Sequence, residues 1–578
     1  MLNLMSSISQ HQKSTFIHIL VLFIILVLSG NQIFAQVGHP KRYQNGMVVS
    51  ATREASDAGI EILKKGGNAV DAAVATHFAL AVTFPGAGNI GGGGFLVLRM
   101  ANGEVKTLDF REKAPAKASR DMYLDENKEV TDKSVLGHWA AGVPGSVDGM
   151  LEALERFGTM PLDLVLDPAI RLASNGFKLS FEEAMSLNYT RNYFRQFESS
   201  RRYFIKKDSS DFVEGELFIQ QDLAQTLERI ALYGREGFYS GITAELVIEE
   251  MKNNGGLIDL ADLRNYKSVS RNPIRISYKD YDLVTMGPPS AGGILLKQML
   301  GMIEPYSIGN YGFNSTESIH LMAEAMKRAY ADRSKYIGDP DFVSVPIAEL
   351  TDSLYIKNRM QDFSWSYSSQ SQDILPGEVS DYYESDETTH YSVVDKFGNA
   401  VSVTTTLNGG YGSKVAVGGA GFLLNNEMDD FSSKPGTPNM YGLTGGKANE
   451  IVPNKRMVSS MTPTIVAKNG KLAMVLGTPG GSTIITTVFQ VFLNMAEFGM
   501  NAQQAVSALR VHHQWLPDQL FFEPFAIART DKNSLEARGY VLNERRGYSG
   551  RADCIQIDEN GWLYGGADPR GDDYTSGF

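Results

Sequence analysis

The sequence predicts an α/β protein, on three observations: a pair of helices near the start divided by Gly66-Gly67, a hairpin over residues 390 to 407, and a second hairpin over residues 464 to 477. Arg53 to Lys65 places Ile60, Leu63 and small neighbours on one face, and Gly66-Gly67 closes the helix, as glycine commonly does. Asn68 caps a second, Ala-rich helix running to about Val82. Pro85 to Gly94 is a glycine-rich loop entering the strand Phe95-Leu96-Val97-Leu98. It lacks the G-K-[ST] or dinucleotide spacing of a phosphate cradle, so its glycines serve close helix-to-sheet packing. Glu317 to about Arg333 is a later helix, and Tyr355 to Glu384 is polar, tyrosine-rich and weakly periodic, as expected of an exposed segment. His390 to Asp395 alternates, Lys396-Phe397-Gly398-Asn399 turns, and Ala400 to Leu407 returns. The second hairpin turns at Lys468-Asn469-Gly470 and returns over Lys471 to Gly477, and a long helix starts at about Ser482. No internal repeat or low-complexity tract is present.

The chemistry concentrates at Glu387-Thr388-Thr389-His390-Tyr391. A Thr hydroxyl is a weak nucleophile unless a base lies beside it, and the α-amine of an N-terminal Thr is such a base. An internal Thr has none. Breaking the Glu387-Thr388 bond would give Thr388 an amine with a pKa of about 7.7 to 8.0, suited to proton transfer near neutrality. Thr389 lies one residue on, and in a strand that slip turns its side chain to the opposite face.

Downstream, Thr404-Thr405-Thr406-Leu407-Asn408, Leu424-Asn425-Asn426-Glu427-Met428-Asp429-Asp430-Phe431, Pro453 to Thr464 and Gly477-Thr478-Pro479-Gly480-Gly481-Ser482 follow in order. This run resembles the small subunit of the γ-glutamyltranspeptidases. The resemblance continues upstream through Gly66 to Ala73, Gly91 to Phe95, Asp109-Phe110-Arg111-Glu112 and Gly142-Val143-Pro144-Gly145, and ends at Ala567-Asp568-Pro569-Arg570. It implies the αββα sandwich of N-terminal-nucleophile hydrolases, one fused globule self-cleaved into a large subunit, 36–387, and a small subunit, 388–578, that pair as a heterodimer.

Composition bounds the rest. A net charge of -12 argues against a nucleic-acid or anionic-membrane surface. In residues 1–35 Lys13 is the only charge and Ile19 to Leu28 is unbroken apolar sequence. Such a run is too short to span a bilayer, which needs about 20 residues, so it reads as a signal peptide cleaved after Ala35, with export to the periplasm or medium; an uncleaved anchor is the alternative. A single cysteine, Cys554, excludes an intramolecular disulfide, and it is expected to be a buried strand residue. The nine histidines show no metal-ligand spacing, His512-His513 reads as a structural pair, and no cofactor is suggested.

The resemblance also implies roles. Thr388 is the nucleophile, Thr406 the hydroxyl that orients it, and Gly480 and Gly481 the oxyanion hole. Arg111, with Ser459 and Ser460, holds the substrate α-carboxylate. Asn408, Glu427 and Asp430 receive its α-ammonium, Glu427 and Asp430 being an anionic pair that only this ammonium neutralises. Relatives carry Glu or Gln at position 427. Pro435 to Gly446, containing Tyr441, matches a lid loop present in some members. The implied activity is transfer of the γ-glutamyl group of glutathione and similar amides to water, amino acids or dipeptides. Two rivals stand beside it: an acylase of the same fold taking a glutaryl side chain, and a non-catalytic periplasmic binding protein.

Overall fold

Alternation along the strands sorts the chain into layers. The computed structural model describes residues 39–374 and 388–578. One seven-stranded sheet runs in the order Tyr574–Gly577, Gly46–Ser50, Thr389–Asp395, Ala400–Thr406, Gly93–Arg99, Val105–Asp109 and Val269–Ser270. The other runs Lys41–Tyr43, Leu563–Gly566, Asp553–Ile557, Lys471–Gly477, Thr464–Lys468, Tyr281–Thr285 and Ile274–Tyr278. Neighbours in both sheets are antiparallel.

Successive side chains of a strand point to opposite faces. Met47, Val49, Val97, Val394 and Ala400 therefore meet Val284, Ile465, Val475, Ile555 and Leu563 between the sheets. Their alternates Val48, Leu96, Leu98, Val393, Val401 and Val403 pack outward with residues of the helices Arg53–Lys64, Ala69–Thr83, Ser146–Phe157 and Leu162–Asn175. On the far side Ile276, Val466, Met474, Leu476 and Cys554 pack with the helices Gly292–Ile303, Thr316–Tyr336 and Ile484–Ala496. The result is the four-layer αββα sandwich.

Local sequence explains the ends of these elements. Asn68 accepts from the amides of Val70 and Asp71 while Asp71 accepts from the Asn68 amide, a reciprocal cap. Every residue of the helix it starts is buried, so its Ala content reflects packing on all sides. The hairpin turn is held by Asp395, which accepts from Phe397 and Asn399 and also from the Ala69 amide.

In the described part of Tyr355 to Glu384, residues 355–374, the expectation of an exposed segment holds for side chains such as Lys357, Gln361, Asp362 and Tyr367 but not for others. Ser353–Asn358 is a helix, Ile356, Met360 and Ile374 are buried, and Phe363 and Trp365 pack edge to face at 5.0 Å, each also against the His320 ring. Its apolar residues fall at irregular intervals, so they carry no period to read, yet Ile356, Met360, Phe363, Trp365 and Ile374 find tertiary partners. Residues 1–38 and 375–387, with the leader and Glu387, lie outside the described residues. Among the described residues no helix is long and apolar enough to cross a membrane.

Candidate active site

Thr388 sits just before the strand Thr389–Asp395, and pairing sets its facing. Thr389 lies opposite Thr405, so the register carries Thr388 opposite Thr406. His390 and Ser392, on the Thr388 face, point between the sheets. His390 bonds Thr404 Oγ1 at 2.9 Å and Ser392 Oγ at 3.0 Å, and its ring fits only because residue 477 is glycine, where a Cβ would fall 2.3 Å from it. Burial pushes the His390 pKa down to about 3, so this imidazole is neutral. Thr405, on the Thr389 face, bonds Asn89 and the Gly93 carbonyl.

One cavity is lined by Arg111, Thr388, Thr406, Asn408, Glu427, Asp430, Tyr441, Ser459, Ser460 and Gly481, with Leu443, Met461 and Ile484. Gly480 lines an adjoining cavity that also reaches Thr388. The sequence motifs thus converge from both sides of the 387/388 junction. Arg111 follows the strand Val105–Asp109, Asn408 follows Ala400–Thr406, and Glu427 and Asp430 share one 3-10 turn. Asn408 has φ of 75°, a left-handed conformation that Asn tolerates, and its amide donates to Thr406 Oγ1 at 2.7 Å. Gly480 and Gly481 have φ of 132° and 50° just before the helix Ile484–Ala496.

A substrate ammonium is not the only cation placed to offset Glu427 and Asp430, contrary to the expectation, because Arg111 already reaches both. Arg111 donates from Nη1 to Glu427 and from Nη2 to Asp430, and its Nη1 lies 3.5 Å from Glu112 Oε2. The reason is desolvation: a buried charge left unpaired is costly, so the single Arg111 charge is shared between the two carboxylates and offsets part of theirs. Burial opposes the Arg111 charge, but Glu427, Asp430 and Glu112 together hold its pKa above the ordinary value. Burial likewise raises Glu427 and Asp430, against the pull of Arg111. Glu112, with both carboxyl oxygens buried and unbonded among the described residues, is raised to about 8.

Tyr441 closes the cavity, donating to the Asn408 carbonyl with its ring over Gly481, where a Cβ would lie 2.5 Å from Cδ1. Asn439 of the same loop bonds Asp430 Oδ1 at 2.8 Å. The space left is about 20 Å³, room for a water rather than an amino acid. Ser459 Oγ accepts from the Met461 amide at 3.1 Å, and Ser460 Oγ lies 3.5 Å from Arg333 Nη2. Sequence reading assigned nothing to Arg333 or Glu112. Arg333 lies in the last turn of the helix Thr316–Tyr336 with no motif around it; Glu112 lies within a quoted motif, but only its burial marks it out.

The chain matches the Gamma-glutamyltranspeptidase family model over residues 55–578. It belongs to the γ-glutamyltranspeptidase family. It is 48% identical to a glutathione hydrolase proenzyme of Escherichia coli (strain K12) over 94% of this chain and 93% of that one. A γ-glutamyltranspeptidase structure from Helicobacter pylori is 46% identical, with a TM-score of 0.56 over 59% of this chain and 96% of that chain. A cephalosporin acylase structure from Bacillus halodurans superposes with a TM-score of 0.82 at 27% identity, over 94% of this chain and 97% of that one. This member of the family is therefore an enzyme with the N-terminal-nucleophile hydrolase fold. The adjacent histidines and the cysteine sit in the packed interior: His512 bonds Thr486 and Gln514, His513 lies 3.3 Å from Asp518, and Cys554 is buried in a strand. Among the described residues no group of three or more His, Cys, Asp or Glu could hold a metal ion.

Proposed function

We propose that the chain is exported, cleaves itself between Glu387 and Thr388 into subunits 36–387 and 388–578 that remain paired, and then transfers or hydrolyses γ-glutamyl groups, glutathione being a representative donor. Thr388 Oγ attacks the γ-carbonyl, its proton passing to the new α-amine, which hands it to the departing amine as the C–N bond breaks. Water or an acceptor amine then resolves the Thr388 ester. Thr406 orients the nucleophile: its oxygen accepts the Asn408 amide, which leaves its own hydrogen to point toward Thr388. Gly480 and Gly481 present amides to the developing oxyanion at a helix start, a device worth about 3 to 4 kcal/mol per donor.

The observation that carries the substrate reading is the Arg111–Glu427–Asp430 ion group beside Thr388. A γ-glutamyl head is a zwitterion. Inserted into this group, its α-carboxylate takes Arg111, with Ser459 and Ser460 as further donors, and its α-ammonium takes Glu427, Asp430 and Asn408, so every charge keeps a partner. A glutaryl chain brings only the carboxylate and strands the two acidic residues, which disfavours the acylase reading. Entry requires the Tyr441 loop to move, because the closed pocket is too small, which supports its role as a lid.

The test is release of p-nitroaniline from γ-glutamyl-p-nitroanilide against the glutaryl analogue, beside a denaturing gel. Two fragments, the smaller beginning at Thr388, and a γ-glutamyl preference of up to about 10⁴ in kcat/KM are expected. Equal rates on both donors would transfer the assignment to an acylase, and an intact inert chain would favour a binding protein. Thr388→Ala should block both cleavage and turnover.

A further inference from the structure

The hydroxyls that line the cavity holding the ion group share one arrangement. Thr406 Oγ1 accepts from the Asn408 amide at 2.7 Å, and Ser459 Oγ accepts from the Met461 amide at 3.1 Å. A hydroxyl has one hydrogen and two acceptor lone pairs, so an oxygen that accepts from an N–H behind it keeps its hydrogen for the cavity. Ser460 lines the same cavity, but the donor behind its oxygen is a side chain: Arg333 Nη2, at 3.5 Å.

Packing alone does not account for Arg333. It is 9% exposed, and among the described residues it pairs with no carboxylate and its Nε has no hydrogen bond. Burial weighs against its charge, and Asp430 opposes that effect from beyond ion-pair distance. An apolar side chain would fill the same space without desolvating a cation. The helix Thr316–Tyr336 that carries Arg333 is fixed to the site at two further points. Tyr330, a turn earlier, donates to the Ser482 carbonyl, next to the Gly480-Gly481 turn. Gly446, at the end of the Tyr441 loop, lies so close that a Cβ there would fall 3.1 Å from the Ser334 carbonyl oxygen. Arg333 thus reaches Ser460 from a support that also carries the oxyanion turn and the base of the loop.

We propose that Arg333 is a positioning residue for the γ-glutamyl donor: by donating to Ser460 Oγ it turns the Ser460 hydrogen into the cavity, toward the substrate α-carboxylate, and its charge favours that carboxylate from behind. The inference deepens the γ-glutamyl reading above and rests on it. At 3.5 Å the contact is at the long end of a hydrogen bond. A carboxylate that draws on the Ser460 hydrogen makes the oxygen a stronger acceptor, so donor binding shortens it. Arg333 touches neither the substrate nor the reacting atoms. Arg111 supplies the direct charge, and Arg333, through Ser460, sets how strongly a donor lacking the carboxylate is rejected.

The experiment compares hydrolysis of γ-glutamyl-p-nitroanilide with that of 4-aminobutyryl-p-nitroanilide, which keeps the ammonium and lacks the α-carboxylate. The wild type should prefer the first in kcat/KM. Arg333→Gln should cut that preference about tenfold, and Arg333→Lys, which keeps the charge but not the reach, about threefold, with the loss in KM and not in kcat. In a Ser460→Ala background Arg333→Gln should change the preference by less than about twofold, because the group through which it acts is gone. Each readout is a ratio within one variant, so the fraction of folded, cleaved enzyme does not move it, and either substitution decides the matter if the other fails to fold. A wild-type preference in either Arg333 variant would overturn the assignment, since a merely structural residue lowers turnover of both donors alike. So would a loss of about tenfold that persists without the Ser460 hydroxyl. Both outcomes leave γ-glutamyl hydrolysis in place. A wild-type enzyme that hydrolyses the two donors equally, or neither, would instead remove the γ-glutamyl reading itself.

Discussion

Adjacent threonines at 388 and 389 have opposite fates because they face opposite ways. Thr389 Oγ1 is buried with no bonding partner among the described residues, so Thr389→Val should keep activity and raise stability by about 1 kcal/mol, measured by denaturant unfolding. A loss of turnover comparable to that of Thr388→Ala would contradict the register. Arg111→Lys replaces a fork that spans two carboxylates with a point charge, and kcat/KM for γ-glutamyl donors should fall by about 10 to 100-fold. Unchanged kcat/KM in the cleaved variant would remove Arg111 from the site. Glu112 makes a pH prediction. Burial raises its folded pKa from the ordinary 4.5 to about 8, so between those values the unfolded chain releases a proton that the folded chain keeps, and stability falls as pH rises. Glu112→Gln removes that dependence. Its Tm should gain on the wild type steadily from pH about 4.5 to about 8, and a constant gap would show that Glu112 is already ionised.

The element with the most at stake is the turn Gly480-Gly481 beneath the Tyr441 ring. Gly481 combines a left-handed φ of 50° with a Tyr441 ring in the space a Cβ would take. Gly481→Ala carries the left-handed penalty of about 1 to 2 kcal/mol and displaces either the amide or the lid. We expect kcat to fall by about 100-fold or more with circular dichroism unchanged. Retained kcat would mean that the amide at 481 does not face the reacting oxygen. Tyr441→Phe removes the bond to the Asn408 carbonyl, and should raise donor KM more than it lowers kcat, since it loosens closure and leaves the chemistry in place. Both elements were legible as motifs; that the Tyr441 ring rests on the turn was not, because the contact joins residues 40 positions apart.

At the scale of the molecule, the sheet that carries Thr388 interleaves the two sides of the proposed cut. Gly46–Ser50 lies between Tyr574–Gly577 and Thr389–Asp395, and Gly93–Arg99 pairs with Ala400–Thr406. Cutting at 387/388 severs none of these ladders. The fragments should therefore co-elute in size-exclusion chromatography and separate only in denaturant, and residues 388–578 produced alone should not fold; separation under native conditions would refute the interleaving. The amino-acid sequence by itself determined the strand and helix periods, the caps at Asn68 and Gly66, both hairpins and the order of the motifs, since each rests on neighbours a few residues apart. Only the tertiary structure decided that Arg111 is already paired with Glu427 and Asp430, that Glu112 is buried with no hydrogen bond to its carboxyl oxygens among the described residues, that Ile356, Met360 and Ile374 are buried in a segment expected to be exposed, and that Thr388 opens onto two cavities. These depend on which distant side chains share a desolvated space, and burial, which sets the cost of every charge, is not written in local spacing.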